Sequence, residues 1–214
     1  MSVNSSVATR RGEPAATSVT GPPKLCLVHD AWPGDDTVVR AAWLRRAIDR
    51  ALLASSLVPA TPLLDVREFG WTAMLRDQWR AIREEARFGG GAVTPERCPV
   101  TAAAVASIPG LHAVRFESLA PGAYFPPRGL SDRALLTCHL GLVVPRGGDL
   151  RMLVGGRMAR WAEGETLFFD AGQAQGRWND GSEDGLVLTV ELRRPLRWPG
   201  RWIADALLGR RLRI

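Results

Sequence analysis

The chain has 214 residues, 46% hydrophobic and 23% charged, which suits one domain with a sizeable core. A membrane-crossing helix needs about 18 consecutive apolar residues, and the chain has no such run. The net charge of +6 is concentrated from Arg193 onward, where seven arginines meet one acid, so the preceding 192 residues sum to zero; a nucleic-acid partner, which calls for a basic stripe across the folded body, is not expected.

Residues 1–23 are rich in Ser, Thr, Ala, Gly and Pro and lack the apolar stretch of a signal peptide, so they read as a disordered leader. Cys26, Cys98 and Cys138 have neither metal nor redox spacing, as in a reduced, cytoplasmic protein. Lys24–His29 reads as an edge strand opening a domain over 24–195. Asp35 or Asp36 can cap a helix reaching about Ser56, with Val39, Trp43, Ala47 and Leu52 near one face, ended by Pro59 and Pro62. A second helix is predicted from Glu68 to Arg87, because Trp71, Leu75, Trp79 and Ile82 recur as an apolar stripe and Gly89-Gly90-Gly91 stops it. Most of the eight tryptophans, Trp71 and Trp79 first, read as packing between helix and sheet. Thr101–Ser107 reads as a short helix before Pro109-Gly110.

Beyond it, short apolar runs (His112–Leu119, Ala134–Val144, Thr166–Phe169, Leu186–Leu192) alternate with Gly, Asp and Pro, the pattern of a closed or sandwiched antiparallel sheet. Such a sheet hides its edges and leaves a mouth where polar side chains converge. The tail, 196–214, is basic and amphipathic. It reads as a helix capping the domain or, alternatively, as a peripheral membrane contact.

Four motifs punctuate the strands: Phe125-Pro126-Pro127-Arg128-Gly129 after Pro121-Gly122, His139-Leu140-Gly141-Leu142 with Pro145, Trp161-Ala162-Glu163-Gly164, and Phe169-Asp170 through Trp178-Asn179. Together, from about Phe69 to Pro195, they resemble the aspartyl/asparaginyl β-hydroxylases, whose pattern runs PG then PH-x-G, HLGL-x-x-P, W-x-x-G, FDDSFEHEVWN and a closing arginine. The resemblance implies a mainly β fold, a double-stranded β-helix (jelly roll, cupin-like) with N-terminal helices packed on it. It also implies a site built for Fe(II) and 2-oxoglutarate.

Residue by residue, that site has changed. Arg128 stands where the first iron histidine belongs, and a guanidinium has no lone pair to give. Gln175 stands where the second belongs. The 2-oxoglutarate arginine falls on Gly185, a second arginine on Thr137, and a serine on Glu117, changes that disfavour a bound dianion. Of this set only His139 is kept. His29 and His112 lack ligand spacing and read as surface or satisfied structural histidines. Strand alternation puts Thr137 and His139 on one face and Cys138 on the other.

The resemblance thus implies a barrel mouth holding Glu117, Arg128, Thr137, His139 and Gln175. The expectation is an enzyme without metal or cofactor, acting by acid–base or cyclisation/isomerisation chemistry on a small-molecule, carrier-bound or peptide substrate in biosynthesis. Two alternatives stay open: a non-catalytic binding protein, and an active hydroxylase using Fe(II) and 2-oxoglutarate. Glu117 is expected to pair with Arg128 or His139.

Overall fold

Two antiparallel sheets face each other across an apolar interior, and helices cover the back of the larger one. The structure, a computed structural model, describes residues 36–88, 91–129 and 133–211, without the side chains of 36–42, 88, 128, 129, 210 and 211. The expected leader, the Lys24–His29 strand, the Asp35 cap and His29 lie outside these residues.

In chain order the elements are α1 (Asp36–Ala54), β1 (Leu63–Leu64), a 3₁₀ turn (Val66–Glu68), α2 (Thr72–Asp77), α3 (Trp79–Phe88), β2 (Gly91–Ala92), α4 (Pro99–Ala106), β3 (Leu111–Leu119), β4 (Tyr124–Gly129), β5 (Leu135–Val143), β6 (Leu150–Val154), β7 (Arg157–Arg160), β8 (Thr166–Asp170), β9 (Ala174–Asn179), β10 (Gly185–Arg193) and α5 (Gly200–Arg211). The larger sheet runs β1-β8-β5-β10-β3-β2 and the smaller β4-β9-β6-β7. This is the jelly roll that the resemblance implied. The short strands β1 and β2 carry too few residues to leave a periodic signal.

Alternation along the strands divides the core in two. The outward face of the larger sheet (Phe116, Leu136, Cys138, Leu140, Phe168, Leu188, Val190) packs against Phe69, Leu75, Ile82, Cys98 and Val105 of the helical layer. The inward face (Leu119, Phe169, Val187) meets Leu150, Met152 and Val154 of the smaller sheet, with Trp161 between them. Burial drives the Cys138 thiol pKa far upward, so it behaves as a small apolar side chain.

The predicted second helix is two helices. The break falls at Gln78 (φ −99°, ψ 6°), yet Gln78 N–H still donates to Met74 O and Ile82 N–H to Gln78 O, so the apolar stripe passes through undisturbed. Trp71 and Trp79 do pack against the sheet-side core. Trp43 does not: it is exposed, and α1 buries Ile48 and Leu52 instead, against Ala204 and Leu208 of α5. A carboxylate of α3 caps α4: Glu85 accepts from Val100 N–H (2.7 Å), Thr101 N–H (2.8 Å) and Thr101 Oγ1 (2.6 Å).

The motif residues explain themselves as backbone devices. A side chain at Gly141 would place its Cβ 2.2 Å from the Ala162 carbonyl oxygen. That close approach lets Gly141 N–H reach Glu165 O and Gly164 N–H reach Gly141 O. Asn179, fully buried, donates to Leu119 O and Glu183 O and accepts from Gly181 N–H, tying β9 to the ends of its neighbours.

Candidate functional site

The inward face of the larger sheet is laid out in cross-strand rows. One row runs Arg115, Thr189, His139, Leu167; the next on one side places Ala113, Glu191, Thr137 and Phe169, and the next on the other Glu117, Val187 and Gly141. Residues that pair across a sheet point to the same side, so Thr137, His139 and Glu117 share the interior. On the opposing sheet Met152↔Arg177 and Val154↔Gln175 put Arg177 and Gln175 on the inward side, because Met152 and Val154 belong to the interior core.

Four charged groups stand together at the edge of this interior. Glu117 forms an ion pair with Arg177 across the two sheets and accepts from Arg115 Nε at 2.6 Å; Arg115 also reaches Glu191 at 2.7 Å. The formal charges of these two acids and two arginines cancel. Burial acts against ionisation of Glu117, but Arg177, His139 and Arg115 outweigh it and hold the carboxyl at about 2.

Deeper lies His139, fully buried, stacked on Trp161 (ring centroids 5.7 Å apart) and meeting the edge of Phe169 at 4.8 Å. Burial and the Arg177 charge push its pKa down to about 3, so the imidazole is neutral through the physiological range. Three buried polar atoms here have no partner among the described residues: His139 Nδ1, Thr189 Oγ1 and Trp161 Nε1. Thr189 is the direct cross-strand neighbour of His139, and Trp161 is its stacking partner. Leaving such groups unpaired costs about 1–3 kcal/mol each, so neighbouring orphans mark a place that a polar guest would stabilise.

Of the five residues singled out from the sequence, Glu117, Thr137, His139 and Gln175 share the barrel interior. Arg128 pairs with Gln175 through its backbone, and its side chain lies outside the described residues. Gln175 Nε2 donates to Ala171 O at 3.1 Å. The expected partner of Glu117 needs correction: among the described residues its guanidinium partners are Arg115 and Arg177. Both were within reach of sequence reasoning, since Arg115 stands two residues before Glu117 and Arg177 two after Gln175, on the same faces. They also correct the charge balance, because the acid brought by Glu117 is compensated.

The iron and 2-oxoglutarate that the resemblance implies do not fit these residues. Among the described residues no three His, Cys, Asp or Glu side chains converge as ligands. The Glu117 oxygens are taken by guanidinium groups. At Gly185, where the co-substrate arginine belongs, a Cβ would sit 2.7 Å from Leu150 Cδ1 of the opposite sheet. Leu150 packs where that side chain would begin.

Comparison with known proteins bears on the whole barrel. The family pattern described as aspartyl/asparaginyl β-hydroxylase matches residues 77–195. The ornithine lipid ester-linked acyl 2-hydroxylase of Rhizobium tropici is 37% identical over 113 residues, covering 52% of this chain and 40% of that protein. Aspartate β-hydroxylase domain-containing protein 2 of Homo sapiens is 38% identical over 80 residues, 36% of this chain and 21% of its own length. The chain therefore spans about two fifths or less of these relatives. Among solved structures, the cupin domain of Schizosaccharomyces pombe Cnp3 aligns with a TM-score of 0.34 at 16% identity, over 50% of this chain and 64% of that one, too loose a likeness to carry an argument. No helix among the described residues is long and apolar enough to cross a membrane. With the family pattern running through β3–β10 and the motif glycines, Asp170 and Asn179 in their structural places, the chain belongs to the aspartyl/asparaginyl β-hydroxylase family.

Proposed function

We propose that this family member has exchanged the iron site for a metal-free pocket that binds a small polar molecule, and that it neither holds Fe(II) nor turns over 2-oxoglutarate. The observation that carries the reading is the buried orphan set, His139 Nδ1, Thr189 Oγ1 and Trp161 Nε1, on side chains that are neighbours inside the barrel. An imidazole nitrogen, a hydroxyl and an indole N–H together suit a guest carrying both an acceptor and a donor, such as an amide or a hydroxy group. The Glu117–Arg177 and Arg115–Glu191 pairs, only partly buried, form a charge-balanced rim around the deeper groups.

The relatives are named as hydroxylases, and this chain departs from them where the metal and co-substrate would be held: Arg128, Gln175 and a Gly185 packed by Leu150. Proton transfer by Glu117 and His139 is the less favoured reading. A catalytic acid or base works best with a pKa near the working pH, whereas Glu117 is held at about 2 and His139 at about 3. At neutral pH one is a fixed negative charge and the other a neutral hydrogen-bonding ring. They are suited to hold and orient a guest.

The test uses acetamide as a neutral amide probe and follows the Trp161 indole N–H resonance, assigned with Trp161→Phe. A saturable shift that Thr189→Val abolishes is expected; no shift, or one indifferent to Thr189→Val, refutes the polar-guest reading. Separately, protein supplied with Fe(II) or Mn(II) and 2-oxoglutarate is expected to retain no stoichiometric metal and to form no succinate. One tightly held metal per chain with succinate formation overturns the metal-free reading.

A further inference from the structure

The end of α1 and the start of α5 meet at one corner of the molecule. Arg197 N–H donates to Ser55 O (2.8 Å), Leu57 N–H to Pro195 O (2.9 Å), and Ser56 and Leu196 form a β-bridge. The inner side of this corner is a core: Leu52 and Ile48 of α1 pack with Ala204, Leu208 and Ile203 of α5. Its outer side carries the two most exposed large apolar side chains among the described residues. Trp198 is 84% exposed, Trp202 70% and Leu57 55%, three large apolar side chains on segments that hydrogen-bond to one another. Scattered exposed hydrophobics are ordinary, but two indoles and a leucine gathered at one corner point to a docking face.

Charge says what docks there. Arg197 and Arg201 flank the two tryptophans and enter no ion pair among the described residues, while the acid of this stretch, Asp205, is taken by Arg193 at 2.8 Å. Beside them a cavity of about 330 Å³ is lined by Leu57, Leu196, Arg193 and Arg201, apolar on its walls with guanidinium groups on its boundary. Indoles favour the boundary between hydrocarbon and water, and arginines without partners favour anionic headgroups. Asp205 also lines this cavity but is engaged by Arg193, so the patch offers indoles together with the positive charge of Arg197 and Arg201.

We infer that the α1–α5 corner is a membrane-surface docking site, which seats Trp198, Trp202 and Leu57 at the headgroup boundary of an anionic bilayer with Arg197 and Arg201 on the phosphates. It is independent of the barrel reading and stands or falls separately. Removing the tail is a poor test, because α5 buries Ala204 and Leu208 against α1. Point variants on the exposed face leave that core alone.

The full chain is sedimented with phosphatidylcholine vesicles with and without phosphatidylglycerol. Binding that requires phosphatidylglycerol is expected. Trp198→Ala/Trp202→Ala is expected to abolish it at an unchanged melting temperature. Arg197→Gln/Arg201→Gln is expected to weaken it about 30-fold, taking about 1 kcal/mol for each basic residue at an anionic surface. On the wild-type protein, raising the salt concentration is expected to weaken binding through screening, a readout that needs no variant. Failure of the wild-type chain to bind phosphatidylglycerol vesicles overturns the inference. So does salt-indifferent binding, or a folded tryptophan variant that binds as tightly as the wild type. A wild-type dimer that becomes a monomer on Trp198→Ala/Trp202→Ala, without vesicle binding, assigns the face to a second copy and overturns it too.

Discussion

Asp170 and Glu117 each hold two guanidinium groups, and their surroundings differ. Asp170 lies on the outward face of β8, where Arg133 (3.0 Å) and Arg194 (2.8 Å) reach it and the Gly172 N–H donates to it. Its side chain and that of Arg194 are 0% exposed. Arg194 also donates to Arg133 O, so this triad seals a seam between the sheet and the α1–α5 pair. Glu117 faces the barrel with Arg115 and Arg177, is 17% exposed, and stands near three polar atoms that have no partner. The first triad is built on Asp170, a motif residue shared with the family, and is closed off from solvent, although Arg194 Nη2 faces Asp170 as an ion pair without a well-aligned hydrogen bond. The second belongs to positions where the chain departs from the family, and the groups around it are left open. A closed polar network holds a fold together; one bordered by orphans is a place where something else completes it.

The comparison can be broken in four ways, taken from the largest expected effect to the smallest. Asp170→Asn leaves the fully buried Arg194 without its counter-charge and is expected to cost about 3–5 kcal/mol in urea unfolding at neutral pH. A cost under about 1 kcal/mol would mean that the outer triad does not hold the seam.

His139 is read out by pH. Its folded pKa of about 3 lies below the ordinary 6.5, so between those values the unfolded chain binds the proton that the folded one refuses. The His139 contribution to stability is therefore expected to fall as pH drops from about 6.5 to 3, by about 5 kcal/mol in all, with no further loss from this group below that. His139→Gln removes that slope, and an unchanged slope would place the imidazole in a wetter setting than the barrel interior.

Glu117 titrates lower. Its folded pKa of about 2 is beneath the ordinary 4.5, so its contribution is complete above about 4.5 and is lost as pH falls toward 2. Glu117→Gln is expected to cost about 3 kcal/mol at neutral pH and to flatten the unfolding profile in that window. A variant as stable as the wild type would show that Arg115 and Arg177 need no counter-charge there.

The smallest effect has the opposite sign. Thr189→Val keeps the shape and removes a buried hydroxyl without a partner. In guest-free protein it is expected to raise stability by about 1 kcal/mol. A loss instead would show that the hydroxyl already has a partner in solution.

Much of this was legible in the chain. The placement of Thr137 and His139 on one face and Cys138 on the other follows from strand alternation alone, and the structure has it so. The motif glycines and Asn179 announced themselves because backbone close approaches tolerate few substitutes. The partners of Glu117 were not found, because a single motif register points to Arg128 while alternation on two separate strands points to Arg115 and Arg177. Choosing among three arginines takes the facing of two sheets, a property no one strand encodes. The break at Gln78 was hidden for the opposite reason: the apolar stripe continues across it. Periodicity puts Trp43 near the face of Leu52, yet the residue is exposed, because periodicity finds a stripe but not the width of the helix that covers it.

The place of β10 in the sheet bears on how the chain is made. β10 lies between β5 and β3 and bonds to both along nearly its whole length, although it is the last strand in sequence. During synthesis β3 and β5 leave the ribosome long before the strand that joins them. At about 5–20 residues per second their inner edges wait several seconds, unpaired, with apolar residues on their outward faces. The central sheet cannot assemble vectorially; it closes at the end, by insertion. Such long-range closure is slow and leaves open edges available to neighbouring chains. The helical layer from α2 to α4, which precedes β3 in the chain, is in position to cover the outward faces of β3 and β5 while they wait.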